Sequence, residues 1–347
     1  MPRNGQSSRY SMVDRTIHLT LPQTIIATPS SLEREITITS DMELQQYLHG
    51  TSLLAEASVI LHAHAPSFFA TACVIFHRFY HRVSLANYDV WSVAMACTLL
   101  AAKLEEYPIR IRNIILIYAH LYRRRRLRVG CTTPSSNGDV NDNGEAGTKS
   151  NSQTNTNNTA CSKLALTLTE AEKQNVIRFQ TPMSQLGQIY KTWEETLTDT
   201  ESAILRELGF TFYWISDSHP HKFILCMVKA VDADKAVAKR AWNYCNDSCR
   251  LDLCVRYEAE IIACAAIHMA ACDLGPQHAL PVKPEPWWVA FIGNARGEDL
   301  IQVCNAILSL SDPEITETPN RTFIPSLLKN GSFNDPKSFI WDAEQDG

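Results

Sequence analysis

The sequence predicts an all-α chain of two consecutive helical bundles, and three observations carry that reading. Apolar residues recur at helical spacing from about residue 42 to 122, and again from about 188 to 310, with no strand-rich frame between them. An alanine pattern, Ala94-x-Ala96 followed by Ala101-Ala102, recurs as Ala263-x-Ala265 followed by Ala270-Ala271, so the halves look duplicated. Residues 90–102 carry no charge, and residues 261–271 carry none apart from any partial charge on His268. A helix apolar on nearly every side must be enclosed by others, and its alanines let neighbours approach closely. Each half is therefore expected to hold one central buried helix.

The first forty residues mix Pro, Ser, Thr and β-branched residues without helical period, which predicts an extended arm over 1–40. From Met42 onward, breaks at Pro66, around Asn87 and at Pro108 divide the apolar pattern into four helices. A fifth is expected from Gln188 to Leu208, where Gly209 supplies a stop that tolerates left-handed backbone. The second bundle is expected over 221–231, 235–249, 257–273, a short Trp-rich piece near Trp287, and 298–310. Prolines 313, 319, 325 and 336 then predict an irregular tail over 312–347. The domain division is 1–40, 41–210, 211–311 and 312–347.

Between about 131 and 175 the composition turns to Asn, Ser, Thr and Gly, and no aromatic residue occurs from Arg123 through Arg178. Such a segment buries too little apolar surface to offset its ordering entropy, so a disordered insertion within the first bundle is expected. Two motif look-alikes lie inside it. Gly147-Thr148-Lys149-Ser150 lacks the Gly-Lys spacing and preceding strand of a phosphate loop. Asp139, Asn141, Asn143 and Gly144 begin like a calcium loop, but Ser150 stands where a bidentate Glu should close the shell.

Composition narrows the function classes. A net charge of -5 over 347 residues gives no global footprint for nucleic acid or a membrane surface. The opening residues lack the apolar stretch of a secretory signal and no run spans a bilayer, so a soluble intracellular protein is expected. Its 11 cysteines then read as thiols, and with no C-x-x-C pair no metal is expected; Cys245, Cys249 and Cys254 read as small core residues.

A catalytic reading finds no support, since the nucleotide, nucleophile-elbow and metalloprotease motifs are all missing. No catalytic residue and no cofactor are expected. The pairs His77 and His81, His62 and His64, and His219 and His221 read as core or solvated histidines, with Pro220 marking a helix start.

Two charges stand out by position. Lys103 closes the uncharged helix in Ala101-Ala102-Lys103-Leu104-Glu105-Glu106, where a cation suits the helix dipole and can reach solvent. The repeat places Cys272 at the matching position, so only the first bundle carries this cation. Glu201 falls within the apolar stripe of Leu197, Ile204, Leu205 and Leu208. A carboxylate there must be paired, must face a partner, or must turn back as the capping box Thr198-x-x-Glu201.

These residues resemble the cyclins, and among them the cyclin L type associated with transcription and pre-mRNA processing. The carrying segments are Phe76-His77-Arg78-Phe79-Tyr80, the run MACTLLAAKLEEYPIRIRNII over 95–115, ILRELGF ending at Phe210, HPHK from His219, and AWNYCNDS from Ala241. The resemblance covers both bundles outside the insertion and implies two tandem five-helix cyclin boxes. It implies a non-enzymatic nuclear subunit that pairs with a cyclin-dependent protein kinase and switches it on, with transcription or splicing machinery as further partners. Lys103 and Glu201 match the family's kinase-gripping pair, and the resemblance adds Leu104, Glu106, Ile204 and Leu205 from the third and fifth helices. Holding the kinase's mobile helix inward would let its own Lys-Glu pair and magnesium site assemble.

The tail carries no Arg-Ser repeats, unlike metazoan members of that type, and the insertion before the fifth helix is unusually long. A two-box DNA-binding protein of the transcription-factor-IIB kind is the alternative. It calls for a zinc ribbon near the start, yet the first cysteine is Cys73. The run Arg123, Arg124, Arg125, Arg126 and Arg128 is expected to stay solvated and is a candidate nuclear import signal.

Overall fold

The computed structural model describes residues 28–32, 37–63, 66–131, 178, 183, 187–281, 285–293 and 296–311, with backbone alone for residues 66, 126–131 and 216–217. The insertion over 132–175 with its two look-alikes, the tail over 312–347, and arm residues 1–27 and 33–36 lie outside the described residues.

The first bundle comprises α1 (Ser40–Ile60), α2 (Pro66–Tyr80), α3 (Val90–Leu104), α4 (Ile111–Cys131) and α5 (Gln188–Glu207). Their starts follow from local chemistry. Thr39 Oγ1 accepts the Met42 amide at 3.3 Å, and Asp41 and Glu43 lie in the first turn of α1, where the dipole favours them. Pro66 opens α2, the position where a missing amide costs nothing. Asp89 caps α3 by accepting from the Trp91 and Ser92 amides at 2.9 and 3.0 Å.

Helix α3 is central as its composition predicts: it touches α1, α2, α4 and α5, and Ala94, Ala96 and Ala101 have no exposed surface. At Gly50 of α1, a Cβ would lie 2.2 Å from the Phe76 ring and 3.0 Å from Val90, so the missing side chain sets how closely α1 meets its neighbours.

The second bundle comprises α6 (His221–Ala230), α7 (Lys235–Ser248), α8 (Leu253–Arg256), α9 (Ala259–Leu274), α10 (Val289–Ile292) and α11 (Gly297–Ser309). Helix α9 repeats the role of α3: it touches α6, α7, α8, α10 and α11, and Ala263, Ala265 and Ala270 are fully enclosed. Gly275 ends it at φ 96°, a left-handed value open to glycine without a Cβ penalty. The sequence reading did not foresee α8, a single turn lying against α2.

The halves interlock. Leu48 of α1 packs in the core of the second bundle, while Trp214, Ile215 and Cys249 pack in the core of the first. Between them Arg78 of α2 is nearly buried, its guanidinium 3.9 Å from the centre of the Trp214 ring. Cys245 and Cys249 are buried thiols, as a core role requires.

The arm departs from expectation where it is described. Residues 28–32 form a closed turn: the Thr28 amide donates to Ser31 Oγ at 2.8 Å, and the Ser31 amide donates to Thr28 Oγ1 at 3.2 Å. Thr28 Oγ1 also donates to Glu43 at 3.0 Å, and Ser30 Oγ accepts the Leu85 amide at 3.1 Å, so both hydroxyls are buried. Short side chains with hydroxyls favour such turns over extended chain.

Candidate functional site

Helices α3 and α5 lie side by side, and their facing charges meet. Lys103 Nζ donates to Glu201 Oε1 at 2.5 Å, with 57% of the lysine side chain and 13% of the glutamate side chain exposed. Lys103 thus combines the helix-end position that suits a cation with a specific anionic partner. Glu201 lies deep in α5, and Thr198 Oγ1 donates to the carbonyl of Glu194 one turn earlier at 2.8 Å. The capping-box alternative is therefore corrected: Gly187, eleven residues before Thr198, is the N-cap of α5.

Around the pair, Leu104 is 39% exposed and Glu106 is exposed at φ 54° in the turn that ends α3. Leu205 is half-buried. Ile204 is corrected from a partner-facing residue to a core residue, because it has no exposed surface and packs within the first bundle. The stripe that grouped it with Glu201 spans about 100° of the helix circumference, with Ile204 at one edge and Leu205 at the other, and the edge that holds Ile204 turns inward.

One exposed residue escaped the sequence reading. Phe210 follows Gly209 at φ 57°, bonds its amide to the Leu205 carbonyl at 2.9 Å, and leaves 65% of its surface in solvent just beyond the end of α5. The signal was present: a left-handed glycine closing an amphipathic helix turns the next side chain out of the stripe.

His77, His81, His219 and His221 are core residues, and the first three of them join the halves. His77 Nε2 is 3.0 Å from the Cys249 carbonyl, and His81 Nε2 is 2.9 Å from Asp252 Oδ2. His219 Nε2 is 2.9 Å from Thr71 Oγ1, and His221 Nε2 is 3.0 Å from Asn246 Oδ1. His62 is exposed, and its carbonyl accepts the Tyr107 hydroxyl at 3.2 Å; His64 lies outside the described residues. Burial pushes both His77 and His219 down to about 4, so both rings are neutral at physiological pH. Burial alone would raise the Asp252 carboxyl. The hydrogen bond with His81 and the positive charge of Arg256 outweigh it and hold the group well below the usual carboxylate range.

The arginine run is not simply solvated. Arg125 donates to Ser52 Oγ at 2.7 Å, Glu56 Oε1 at 3.1 Å and His49 Nδ1 at 3.0 Å, and its side chain is 18% exposed. Arg124 reaches the same Glu56 at 3.4 Å. Arg123 is half-buried, and the side chains of Arg126 and Arg128 lie outside the described residues. The expectation of a free basic run is corrected: α4 lays these cations along α1, where a carboxylate is waiting.

Comparisons with known proteins agree with this arrangement. The family model described as "Cyclin, N-terminal domain" matches residues 54–129. The chain is 29% identical over 284 residues to Cyclin-L1-1 of Arabidopsis thaliana, covering 81% of this chain and 53% of that protein. It is 29% identical over 304 residues to Cyclin-L1 of Homo sapiens, covering 87% of this chain and 46% of that protein. The chain thus spans about half the length of the curated relatives it matches. Its fold is shared with a chain of the yeast RNA Pol II CTD kinase CTDK-1 complex, at a TM-score of 0.51 and 12% identity, covering 84% of this chain and 79% of that one.

Proposed function

We propose that the chain is a member of the cyclin family, of the cyclin L kind, and that it binds and activates a cyclin-dependent protein kinase in transcription and pre-mRNA processing. The observation that carries the reading is the Lys103–Glu201 pair, held on the exposed edge of α3 and α5 and flanked by Leu104, Glu106 and Leu205. A solvent-facing ion pair beside exposed apolar side chains is weak as a stabiliser and well suited to a partner that desolvates it. Phe210, 65% exposed just beyond the end of α5, is a further apolar residue open to a partner.

In this proposal residues 41–210 form the kinase-binding box and residues 211–311 a second box that supports it through the histidine seam. The chain performs no chemistry itself: it holds the kinase's mobile helix so that the kinase's own catalytic groups align. Nuclear localisation follows from the same reading. The two-box DNA-binding alternative finds no support in the face around Lys103, which presents Glu106 and Glu201 alongside the one lysine.

Affinity purification of the chain followed by identification of the bound protein tests the proposal. A cyclin-dependent kinase is expected in stoichiometric amount, and its activity should fall at least about tenfold with Lys103→Glu at unchanged melting temperature. Recovery of duplex DNA and no kinase would overturn it.

A further inference from the structure

Two residues beyond Lys103, a hydrogen-bonded network is left unused by the kinase-binding reading. Glu105, the C-cap of α3, accepts from Ser67 Oγ at Oε2 and from Thr71 Oγ1 at Oε1, both at 2.5 Å. Thr71 is fully buried in α2, and its hydroxyl oxygen also lies 2.9 Å from His219 Nε2, two residues before α6. Thr71 has one hydroxyl proton and gives it to the carboxylate, so His219 must be the donor through Nε2. Its Nδ1 is then a bare lone pair, and that atom is buried with no hydrogen-bond partner among the described residues. The neutral ring fits this assignment, because a proton on Nδ1 would be an orphaned buried donor.

The donors therefore run in one direction, His219 to Thr71 to Glu105, with Ser67 closing the other oxygen. Three separate elements meet at one carboxylate: the first turns of α2, the end of α3 and the approach to the second bundle. Two residues along a helix turn about 200°, so Glu105 faces α2 while Lys103 faces α5. The same turn is closed by the Glu105 amide to Ala101 and the Tyr107 amide to Ala102, both at 2.9 Å.

We propose that Glu105 is a positioning residue. It clamps the end of α3 so that Lys103 meets Glu201, and through Thr71 and His219 it makes that geometry depend on how the second bundle is seated. The inference rests on the kinase-binding reading for its consequence, and on geometry alone for the clamp.

A double-mutant cycle in the full chain tests it, using Glu105→Gln, Lys103→Ala and the pair, since Gln keeps the size of the side chain and loses one acceptor oxygen. With the kinase identified by the purification above, Glu105→Gln is expected to raise the concentration for half-maximal activation about fivefold. The maximal rate should hold, and in the Lys103→Ala background Glu105→Gln should add nothing. Equal effects in both backgrounds would overturn the proposal, because Glu105 would then act by another route. The side-chain ammonium resonance of Lys103 in the isolated chain gives a reading without kinase. Glu105→Gln should move it toward that of a free lysine, as Glu201→Gln does, and an unmoved resonance overturns the clamp. If Lys103→Ala leaves activation untouched, the kinase-binding reading has failed and the ammonium resonance alone decides the clamp.

Discussion

His81 Nε2 and Asp252 Oδ2 stand 2.9 Å apart, the imidazole fully enclosed and the carboxylate 18% exposed, joining the residue just after α2 of the first bundle to the N-cap of α8 in the second. Asp252 also holds Arg256 at 2.7 Å, so one carboxylate serves a group from each half. His77, one turn before His81, adds its bond to the Cys249 carbonyl, and Tyr47 packs edge-on to the His77 ring at 5.5 Å. The seam is therefore polar at its centre and apolar around it. Such seams fix orientation because a shifted arrangement leaves buried groups unpaired.

Replacing His81 with Ala should lower stability by about 3 kcal/mol, combining the lost ring volume with a carboxylate stripped of one partner. Asp252 keeps Arg256, which limits the loss. Urea unfolding followed by tryptophan fluorescence checks the value. A change under about 0.5 kcal/mol, the scale of an ordinary surface substitution, would mean that the seam contributes little.

Acid should weaken the fold in a defined window. His77 and His219 are lowered from 6.5 to about 4, so between those values the unfolded chain binds protons that the folded chain does not. Stability then falls as pH drops from 6.5 toward 4 and levels off below, by at most about 3 kcal/mol per histidine. Asp252 acts lower: its depressed carboxyl contributes stability that is lost only as pH falls through the folded value, below the histidine window. His77→Gln, whose amide can still donate to Cys249, should flatten the slope between pH 6.5 and 4 in urea titrations. An unchanged slope would assign the acid sensitivity elsewhere.

Gly50→Ala sets two effects against each other. Alanine favours a helix over glycine by about 1 kcal/mol. Its Cβ would stand 2.2 and 2.6 Å from two atoms of the Phe76 ring, which is itself fully buried. Overpacking in a closed core costs about 1 to 3 kcal/mol, and here neither helix can yield without moving Val90 as well. A lower melting temperature by several degrees is expected, and a rise would show that α1 and α2 can separate freely.

The repeat of alanines made the plan of the molecule legible, because an uncharged helix has only one kind of environment open to it, and α3 and α9 both occupy it. Helix starts were legible where one residue decides them, as at Pro66 and at His221 after Pro220. The Lys103–Glu201 pair was legible as two charges out of place. What could not be read was which residues distant in sequence would meet: Asp252, 171 residues from His81, has nothing local to mark it. Thr198 shows the opposite failure, a local motif satisfied in letters inside a helix that had begun ten residues earlier. Burial of Arg125 was hidden for a similar reason, since Glu56 and Ser52 become its partners only once α1 and α4 lie together.

Arg125→Gln should cost about 1 to 2 kcal/mol, well above a surface charge change, because it strips bonds from Ser52, Glu56 and His49. Arg110→Gln, on an exposed arginine just before α4, should cost under about 0.5 kcal/mol. Thermal unfolding of the two purified variants gives the comparison, and it also governs any imaging of nuclear import. A protein with all five arginines replaced that leaves the nucleus while fully folded supports an import signal. Equal stability of the two single variants would restore the view of a freely solvated run.

The sharpest prediction concerns exchanging the pair. Lys103→Glu alone sets two carboxylates against each other, and Glu201→Lys alone sets two ammonium groups together, so each breaks the pair at little cost to melting, and neither alone separates loss of the pair from loss of a kinase contact. The double exchange restores an internal ion pair of the same length with its polarity reversed. Since the pair is largely exposed on the lysine side, its own contribution to stability is small, and the exchanged protein should melt within about 2 °C of the original. A kinase, however, meets a fixed pattern of charge, and reversing that pattern leaves its own groups facing like charges in a desolvated interface. Loss of at least about 2 kcal/mol of binding, more than tenfold in affinity, is expected of the double exchange despite its intact fold. Melting and kinase activation measured on one preparation separate the two roles. A double exchange that activates normally would show that Lys103 and Glu201 serve only each other, and would move the binding face away from the junction of α3 and α5.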